Sequence, residues 1–440
     1  MRGNNFGNGG EAVSESGRVV VTGLGVVAPN ATGKEAYEQA LRNGVSGIRH
    51  IPLLAELKFA CQVAGVPQDV DELAEQYFAP DELKAMNSSH RFGCIAAVDA
   101  WTDAGYERPD PLDDAAIDWD VGAIIGTGIG GLDTVGERIV PLVDSGRVRR
   151  LGSTVVEQVM GSGVSARVAG LLALGNQVTS NSSACSTGSE AIIDGYYRIR
   201  SGLAKRMLCG GTEGSSHYNW SGFDSMRVLC RKFNDEPERA SRPMSASAGG
   251  FVPGSGAGIL HLESLESAQA RGARIHVEIL GGAINCGGHR GGGSMTAPNP
   301  TGVQRCIRQA VEDAGIDPSE IDAINGHLTA TGADPREVNA WSKALGRSPE
   351  DFPPIVSTKS MIGHGLGAAG GMESVACVLM LTGGFVHPSL NCEDVHPEIE
   401  AFAGSIPHSV LEMPQLKTII KAGFGFGDVN SCLVFRRWNG

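Results

Sequence analysis

The chain has 440 residues, 41% of them hydrophobic and 19% charged, with a formal net charge of −13 at pH 7. So much apolar material with so little charge excludes a disordered chain and a coiled coil. The acidic balance excludes a generic nucleic-acid binder, which needs a basic excess to neutralise phosphate. The 62 glycines are about twice the usual share and have no period. They lie in short clusters after apolar runs, where backbone turns tightly or approaches a ligand. Ten scattered cysteines without a CxxC pair read as reduced thiols, not as a disulfide framework or a zinc site. No run of 18 apolar residues is present, so no membrane insertion is expected, and the protein reads as cytoplasmic.

Residues 1–17, rich in Gly, Asn and Ser, lack the apolar core of a signal peptide and read as a disordered N-terminal extension. Order begins at Arg18 with RVVVTGLGVVA, a β-branched run with the pattern of a buried strand ending in a turn. A helical pattern covers 34–43, and a second helix covers about 80–104. A buried strand at 120–126 enters Gly126-Thr-Gly-Ile-Gly-Gly131. A helix over about 154–174 precedes the strand Gln177-Val-Thr-Ser180 and a turn around Cys185. A helix over 189–201 leads to the strand 206–211, and apolar runs follow at 254–265 and 274–280. Strands alternating with helices predict a largely parallel sheet with helices on its faces.

Four segments recur in the same order. Residues 19–28 resemble 275–284, and 120–131 resemble 321–332. The helix after Cys185 corresponds to the helix after His364, and 254–265 resemble 423–435. Two copies of one α/β unit are expected: a first half over 18–270 that carries the Cys185 turn, and a second half over 271–440. A two-half fold places its site at the seam, where the glycine-rich loops converge.

Gly23-x-Gly25-x-x-Ala28 and Gly126-x-Gly128-x-x-Gly131 formally match a dinucleotide fingerprint. Neither is followed by a strand that ends in an acidic residue about 20 positions on, so they read as packing turns. Ser182-Ser-Ala-Cys185-Ser-Thr-Gly188 has the pattern of a nucleophile elbow: a strand, small residues, one thiol, then a helix whose N-terminus favours thiolate. A buried core cysteine is the alternative, and the flanking Ser and Thr speak against it. His327, in Asn325-Gly-His-Leu-Thr-Ala-Thr331, follows the apolar strand 321–324 and is either a site residue or a loop residue. Lys359 and His364 flank a turn after the strand 354–357, an ammonium beside an imidazole, and read as a functional pair. Ala422-Gly-Phe-Gly-Phe-Gly427 is a mobile apolar flap, a backbone donor site, or a tight hairpin packed by two aromatics.

Together these blocks resemble the β-ketoacyl-[acyl carrier protein] synthases, elongating condensing enzymes of the thiolase-like fold, over about 18–437. VVVTGLGVV, GIGG, ACSTG, STKSMIGHGLGAAG and GFGFG occur in family order. The resemblance implies an α/β, thiolase-like fold, two duplicated halves in a five-layered αβαβα arrangement, and usually a homodimer. It implies decarboxylating condensation of an enzyme-bound acyl group with malonyl-[acyl carrier protein]. Cys185 would take the acyl chain, and His327 and His364 would promote decarboxylation and hold the enolate. Lys359 would orient the site, with Glu373 as its partner. The backbone N–H groups of Cys185 and Phe424 would form the oxyanion hole. Phe426 would gate the pocket, and Ile129 would face the acyl pocket near a dimer interface. Thr296, Thr329 and Thr331 would bond the phosphopantetheine arm, which arrives on the acyl carrier protein. No metal or redox cofactor is implied. An acidic carrier protein calls for a basic rim, and Lys84, Arg149, Arg150, Arg231 and Lys232 align with one.

The sequence departs from the family pattern at Leu328 and Asp428, which stand where glycine is usual, and at Gly249, which replaces an aspartate. Asp334 and Glu337 are shifted by one position. These departures imply a specialised branch with an altered acyl pocket or partner. A non-catalytic, chain-length-factor-like subunit is the rival reading, opposed by the presence of Cys185. A degradative thiolase would carry a second cysteine near the terminal glycine block, and a nicotinamide oxidoreductase would need the missing acidic residue.

Overall fold

The computed structural model describes residues 17–440. Residues 1–16, which hold nearly all of the expected N-terminal extension, lie outside the described residues. In chain order the first half contains β1 (Val19–Ala28), α1 (Lys34–Arg42), α2 (Ser88–Asp103), β2 (Val121–Gly126), α3 (Gly163–Leu172), β3 (Val178–Thr179), α4 (Thr187–Arg200), β4 (Arg206–Glu213) and β5 (Gly256–Ser264). The second half contains β6 (Val277–Cys286), α5 (Pro300–Ala314), β7 (Ala323–Asn325), α6 (Asp334–Leu345), β8 (Ile355–Val356), α7 (Ala369–Gly383), β9 (Thr418–Gly425) and β10 (Val429–Arg437).

The strands lie in the spatial order β3-β2-β4-β5-β1 and then β6-β10-β9-β7-β8. Numbered from its own first strand, each half reads 3-2-4-5-1, so the duplication seen as recurring sequence is a duplication of topology. The two ladders join where Val19–Val21 of β1 pair with Val277–Ile279 of β6. Helices α4 and α7 fill the space between the ladders and touch both. Helices α2 and α3 cover the outer face of the first ladder, α5 and α6 that of the second, completing five layers.

The sheet is mixed, where a largely parallel one was expected. The ladders from β4 through β5, β1, β6 and β10 to β9 are antiparallel. Only β3-β2-β4 and β8-β7-β9 are parallel. Parallel pairing occurs where a helix returns the chain to the same end of the sheet, as α3, α4, α6 and α7 do. The hairpin from β9 to β10 and the long excursion from β4 to β5 reverse the direction instead.

Two expected helices are broken. The segment 80–104 splits after a short turn of helix at Pro80–Leu83, and Asn87 caps α2 by accepting the His90 N–H. The segment 154–174 splits into Val155–Val159 and α3, with Gly161 and Ser162 between them. In each case a capping or glycine residue inside an apolar pattern competes with helix continuation.

Helix α7 shows what its layer demands. Residues 366–383 are long and apolar enough to cross a membrane, yet most of the segment is buried between the two ladders. A helix covered on both sides has no need of a polar stripe. Where α4 and α7 cross, Gly188 and Gly371 bring the backbones so close that a Cβ on Gly188 would stand 2.6 Å from the Gly371 nitrogen. Gly370 is equally tight, its added Cβ falling 2.4 Å from the Ser189 nitrogen.

Candidate active site

Parallel strands expose their carboxyl ends on one side of a sheet, and α/β folds place ligands there. Cys185 follows β3, His327 follows β7, Lys359 and His364 follow β8, and Phe424 closes β9. The duplication turns the two sets of strand ends toward each other across the seam. The Cys185 Sγ and ring nitrogens of His327 and His364 all lie within 4.8 Å of one another. The two imidazoles meet edge to face, with centroids 5.4 Å apart.

Cys185 sits in a single turn, Ala184–Ser186, immediately before α4. Ala184 takes a left-handed φ of 48°, a conformation that costs a residue with a Cβ about 1 kcal/mol or more. The turn is held against the β9–β10 hairpin, because the Ser186 hydroxyl donates to the Gly423 and Val429 carbonyls at 2.9 and 3.1 Å. Gly425 is as close: an added Cβ would stand 3.1 Å from the Cys185 nitrogen. The 422–427 segment is therefore a tight hairpin, and it also supplies a backbone donor, as the Phe426 N–H shows.

The sulfur is half-buried and faces a cavity. Burial pushes the thiol up to about 11, against the pull of the Phe426 N–H, the Lys359 cation and its own backbone N–H. The helix N-terminus was expected to favour thiolate. Desolvation outweighs it, and the resting group is a thiol. The second backbone donor at sulfur belongs to Phe426, not to Phe424 as expected. Phe424 pairs with Asn430 in the hairpin ladder and stacks edge to face on His327.

Both histidines are buried and held well below the ordinary histidine range, by burial first and then by Lys359. The His364 Nδ1 accepts the Leu366 N–H at 3.1 Å, which leaves Nε2 as the donor of the neutral ring. His327 Nδ1 is buried and has no hydrogen-bond partner among the described residues. Lys359 forms a fully buried ion pair with Glu373 Oε1. A third charge, absent from the sequence reading, completes the cluster: Lys421 of β9 lies 3.1 Å from Glu373 Oε2. Cys185, His327 and His364 form the described cluster whose donors could reach one metal ion, but two lysine cations beside it disfavour a dication.

Two further carboxylates build the walls. Glu213, at the end of β4, accepts N–H groups from Gly128, Ile129 and Gly367 and the Thr127 hydroxyl. It ties the GIGG loop to the turn after His364 and occupies the N–H groups that a dinucleotide phosphate would need. Glu337 accepts the N–H groups of His327 and Leu328 at 2.6 and 2.8 Å, and burial raises its carboxyl to about 7. Asp334 does the same for Thr329 and Ala330.

These bonds explain two departures from the family pattern. Leu328 has a φ of 28°, which suits glycine. Glu337 and the Ser357 hydroxyl pin its backbone there, while its side chain fills the second-half core. Asp428, at a φ of 60°, uses its carboxylate to accept the His289 and Asn299 N–H groups at 3.0 and 2.7 Å. It anchors the glycine-rich loop that carries Thr296 over the cavity.

The cavity holds about 350 Å³. It brings together Cys185, His327, His364, Phe424, Phe426, Thr296, Thr329 and Thr331, with Lys359 and Glu373 buried close behind. Phe223, Phe251, Met226 and Arg336 also line it and were not among the expected site residues. Phe223 stacks on both Phe251 and Phe426, a contact sequence spacing does not reveal. Ile129 lies on the surface of the chain, outside the lining. Lys84, Arg149, Arg150, Arg231 and Lys232 are exposed and also outside it, and Lys84 pairs with Asp81. A larger open cleft of about 580 Å³, over Asn87, Asp133 and Arg138, contains none of the reactive groups.

Shape and chemistry together put the chain among the thiolase-like enzymes. More narrowly, it belongs to the beta-ketoacyl synthase family, whose N-terminal domain model matches residues 16–268 and whose C-terminal domain model matches 276–393. It is 36% identical over 432 residues to 3-oxoacyl-[acyl-carrier-protein] synthase 2 of a Synechocystis strain, covering 96% of this chain and 99% of that one. It is 35% identical to the chloroplastic 3-oxoacyl-[acyl-carrier-protein] synthase I of Arabidopsis thaliana, covering 95% and 86%. Among solved structures, a type II PKS ketosynthase in complex with its acyl-carrier protein superposes with a TM-score of 0.84 at 30% identity, covering 96% and 99%. A Burkholderia phymatum beta-ketoacyl synthase gives 0.84 at 29% identity, covering 96% and 100%.

Proposed function

We propose that the protein is a β-ketoacyl-[acyl carrier protein] synthase, an acyltransferase that extends an acyl chain by decarboxylating condensation with malonyl-[acyl carrier protein]. One observation carries the reading: a thiol and two neutral imidazoles converge within 4.8 Å in a cavity at the seam. Names of full-length relatives at 32–36% identity support it.

In the first step the Cys185 sulfur attacks the carbonyl of an acyl thioester. The N–H groups of Cys185 and Phe426, already aimed at sulfur, receive the developing oxyanion. The carrier thiolate leaves and takes the proton that Cys185 gave up, which returns the charge to zero. In the second step the malonyl group loses CO2, and the electron pair moves onto its thioester oxygen. Neutral His364 donates from Nε2, and neutral His327 offers its unpartnered ring. The enolate carbon then attacks the Cys185 acyl carbonyl. The carbon–carbon bond forms, the Cys185 thiolate leaves and is reprotonated, and a 3-oxoacyl carrier protein departs.

An acyl carrier protein is the partner this chemistry needs, and it brings the phosphopantetheine arm with it. Thr296, Thr329 and Thr331 line the route that the arm would take, and exposed Arg336 offers a cation at its mouth. The basic rim of Lys84, Arg149, Arg150, Arg231 and Lys232 would serve the carrier's acidic surface. Homodimer assembly and a cytoplasmic setting complete the proposal.

Intact-mass analysis after incubation with a panel of acyl carrier proteins tests the reading. A one-acyl mass gain is expected in the wild type, absent in Cys185→Ala, and discharged by malonyl carrier protein as a longer product. No acylation with any chain, in a folded protein, would favour the non-catalytic partner subunit instead.

A further inference from the structure

Lys421 lies in the middle of β9 with no solvent exposure. A strand buried on both faces ordinarily holds apolar residues, and its neighbours Ile419, Ile420 and Ala422 obey that rule. The ammonium lies 3.1 Å from Glu373 Oε2 and donates to the Ser189 hydroxyl on α4. Glu373 Oε1 is taken by Lys359. Two buried cations thus share one carboxylate, and no second carboxylate meets either of them among the described residues. An uncompensated buried charge is costly to fold, and burial accordingly pulls the Lys421 ammonium below the ordinary lysine range, with Glu373 opposing the shift and holding the charge. Its charge is felt by the two imidazoles that donate to the thioester oxygen, where negative charge develops during decarboxylation.

Resting on the condensing reaction proposed above, we propose that Lys421 is a positioning residue: held by Glu373 and Ser189, its cation keeps an excess positive charge behind the histidine pair, so that both rings enter decarboxylation neutral and as donors to the enolate oxygen. The surroundings are consistent with that role. His327 and His364 are faced by Lys359, Lys421, each other and the Cys185 thiol, with Glu337 on the His327 N–H. Lys421 is faced by Glu373, Lys359, Ser189, Cys377 and Cys432, and Tyr37 stands beside Glu373. Of these, only the two lysines bring positive charge. Both depress the protonation of each histidine, after burial itself.

The test is CO2 release from malonyl carrier protein as a function of pH, for wild type, Lys421→Met, Lys421→Gln and Lys421→Arg, with a melting temperature for each. Protonating His364 would put a second N–H at Nδ1, facing the Leu366 N–H that Nδ1 accepts, and would displace the ring from its donor position, so the rate falls on the acid side as the histidines titrate. Wild type should hold its rate to well below the ordinary histidine range. Lys421→Met should move the acid limb upward by about one to two pH units, the effect of one charge about 6–12 Å away at an effective dielectric of about 20. Lys421→Gln keeps a hydrogen bond to Ser189 without the charge and should reproduce the shift if the methionine variant folds poorly. Lys421→Arg should restore the wild-type limb. A loss of rate by the same factor at every pH, with the limb in place, would show that Lys421 only braces the fold and would overturn the proposal. No CO2 release by the wild type would overturn the condensing reading itself, a result distinguishable because it precedes any comparison of variants.

Discussion

Gly188→Ala probes the contact that sets the distance between nucleophile and histidines. The new Cβ would stand 2.6 Å from the Gly371 nitrogen and 3.1 Å from the Gly367 carbonyl oxygen. Ordinary contact begins at about 3.5 Å, so the helices must part by roughly 1 Å. Both obstacles are backbone, so no side chain can swing aside. Overpacking of this kind costs about 1–3 kcal/mol of stability. The larger effect is on rate, because α4 begins beside Cys185 and α7 follows His364. A misplacement of about 1 Å between reacting groups costs on the order of 10²-fold. Single-turnover acylation of Cys185 should change little, since the turn and its two N–H donors move as one body. The condensation step, which spans both helices, should fall about 100-fold. The assay is rapid-quench measurement of the two half-reactions, beside a denaturant titration. Condensation within threefold of wild type in a variant that has lost stability would refute the idea that this crossing sets the catalytic distance.

Two other perturbations test separate parts of the site. With its thiol near 11, Cys185 should be alkylated by iodoacetamide about tenfold faster per pH unit from pH 7 to 10, followed by peptide mass spectrometry. A plateau below pH 9 would show that the helix N-terminus outweighs desolvation after all. Asp428→Asn should replace an acceptor by a donor opposite the Asn299 or His289 N–H, at a cost of about 1–3 kcal/mol. Tryptic cleavage after exposed Arg290, in the loop that Asp428 anchors, should accelerate about tenfold or more, and an unchanged rate would refute the anchoring role.

The reactive residues were legible because each lies in the connection that follows a parallel strand, next to glycine or a small residue. Cys185, His327, Lys359 and His364 all share that signature. Lys421 and Glu213 carry the opposite one, since a charged residue within or ending an apolar strand looks like an edge or a solvated face. Only the packing of α7 on β9 reveals that Lys421 meets Glu373, 48 positions away in sequence order but on the adjoining layer. The identity of the second sulfur donor was out of reach for another reason. Phe424 and Phe426 repeat the same Gly-Phe unit, and the turn of the hairpin decides which peptide faces Cys185. Strand direction failed because hydrophobic pattern reports burial and is silent on pairing partner. The thiol's state failed because the sequence displays a helix start but not the desolvation around it.

The repeated topology has a consequence for how such a site can be inherited. Helices α4 and α7 hold equivalent places in the two halves, and their N-terminal ends face each other across one seam. Had both copies kept the same residue there, two thiols or two cations would confront each other, and neither pair could run the reaction. The chemistry exists because the copies diverged, one toward a nucleophile and the other toward an imidazole and an ammonium. Each site is thus assembled from both halves of a single polypeptide. A chain lacking Cys185 and a chain lacking His364 cannot rescue one another by association, however well they assemble.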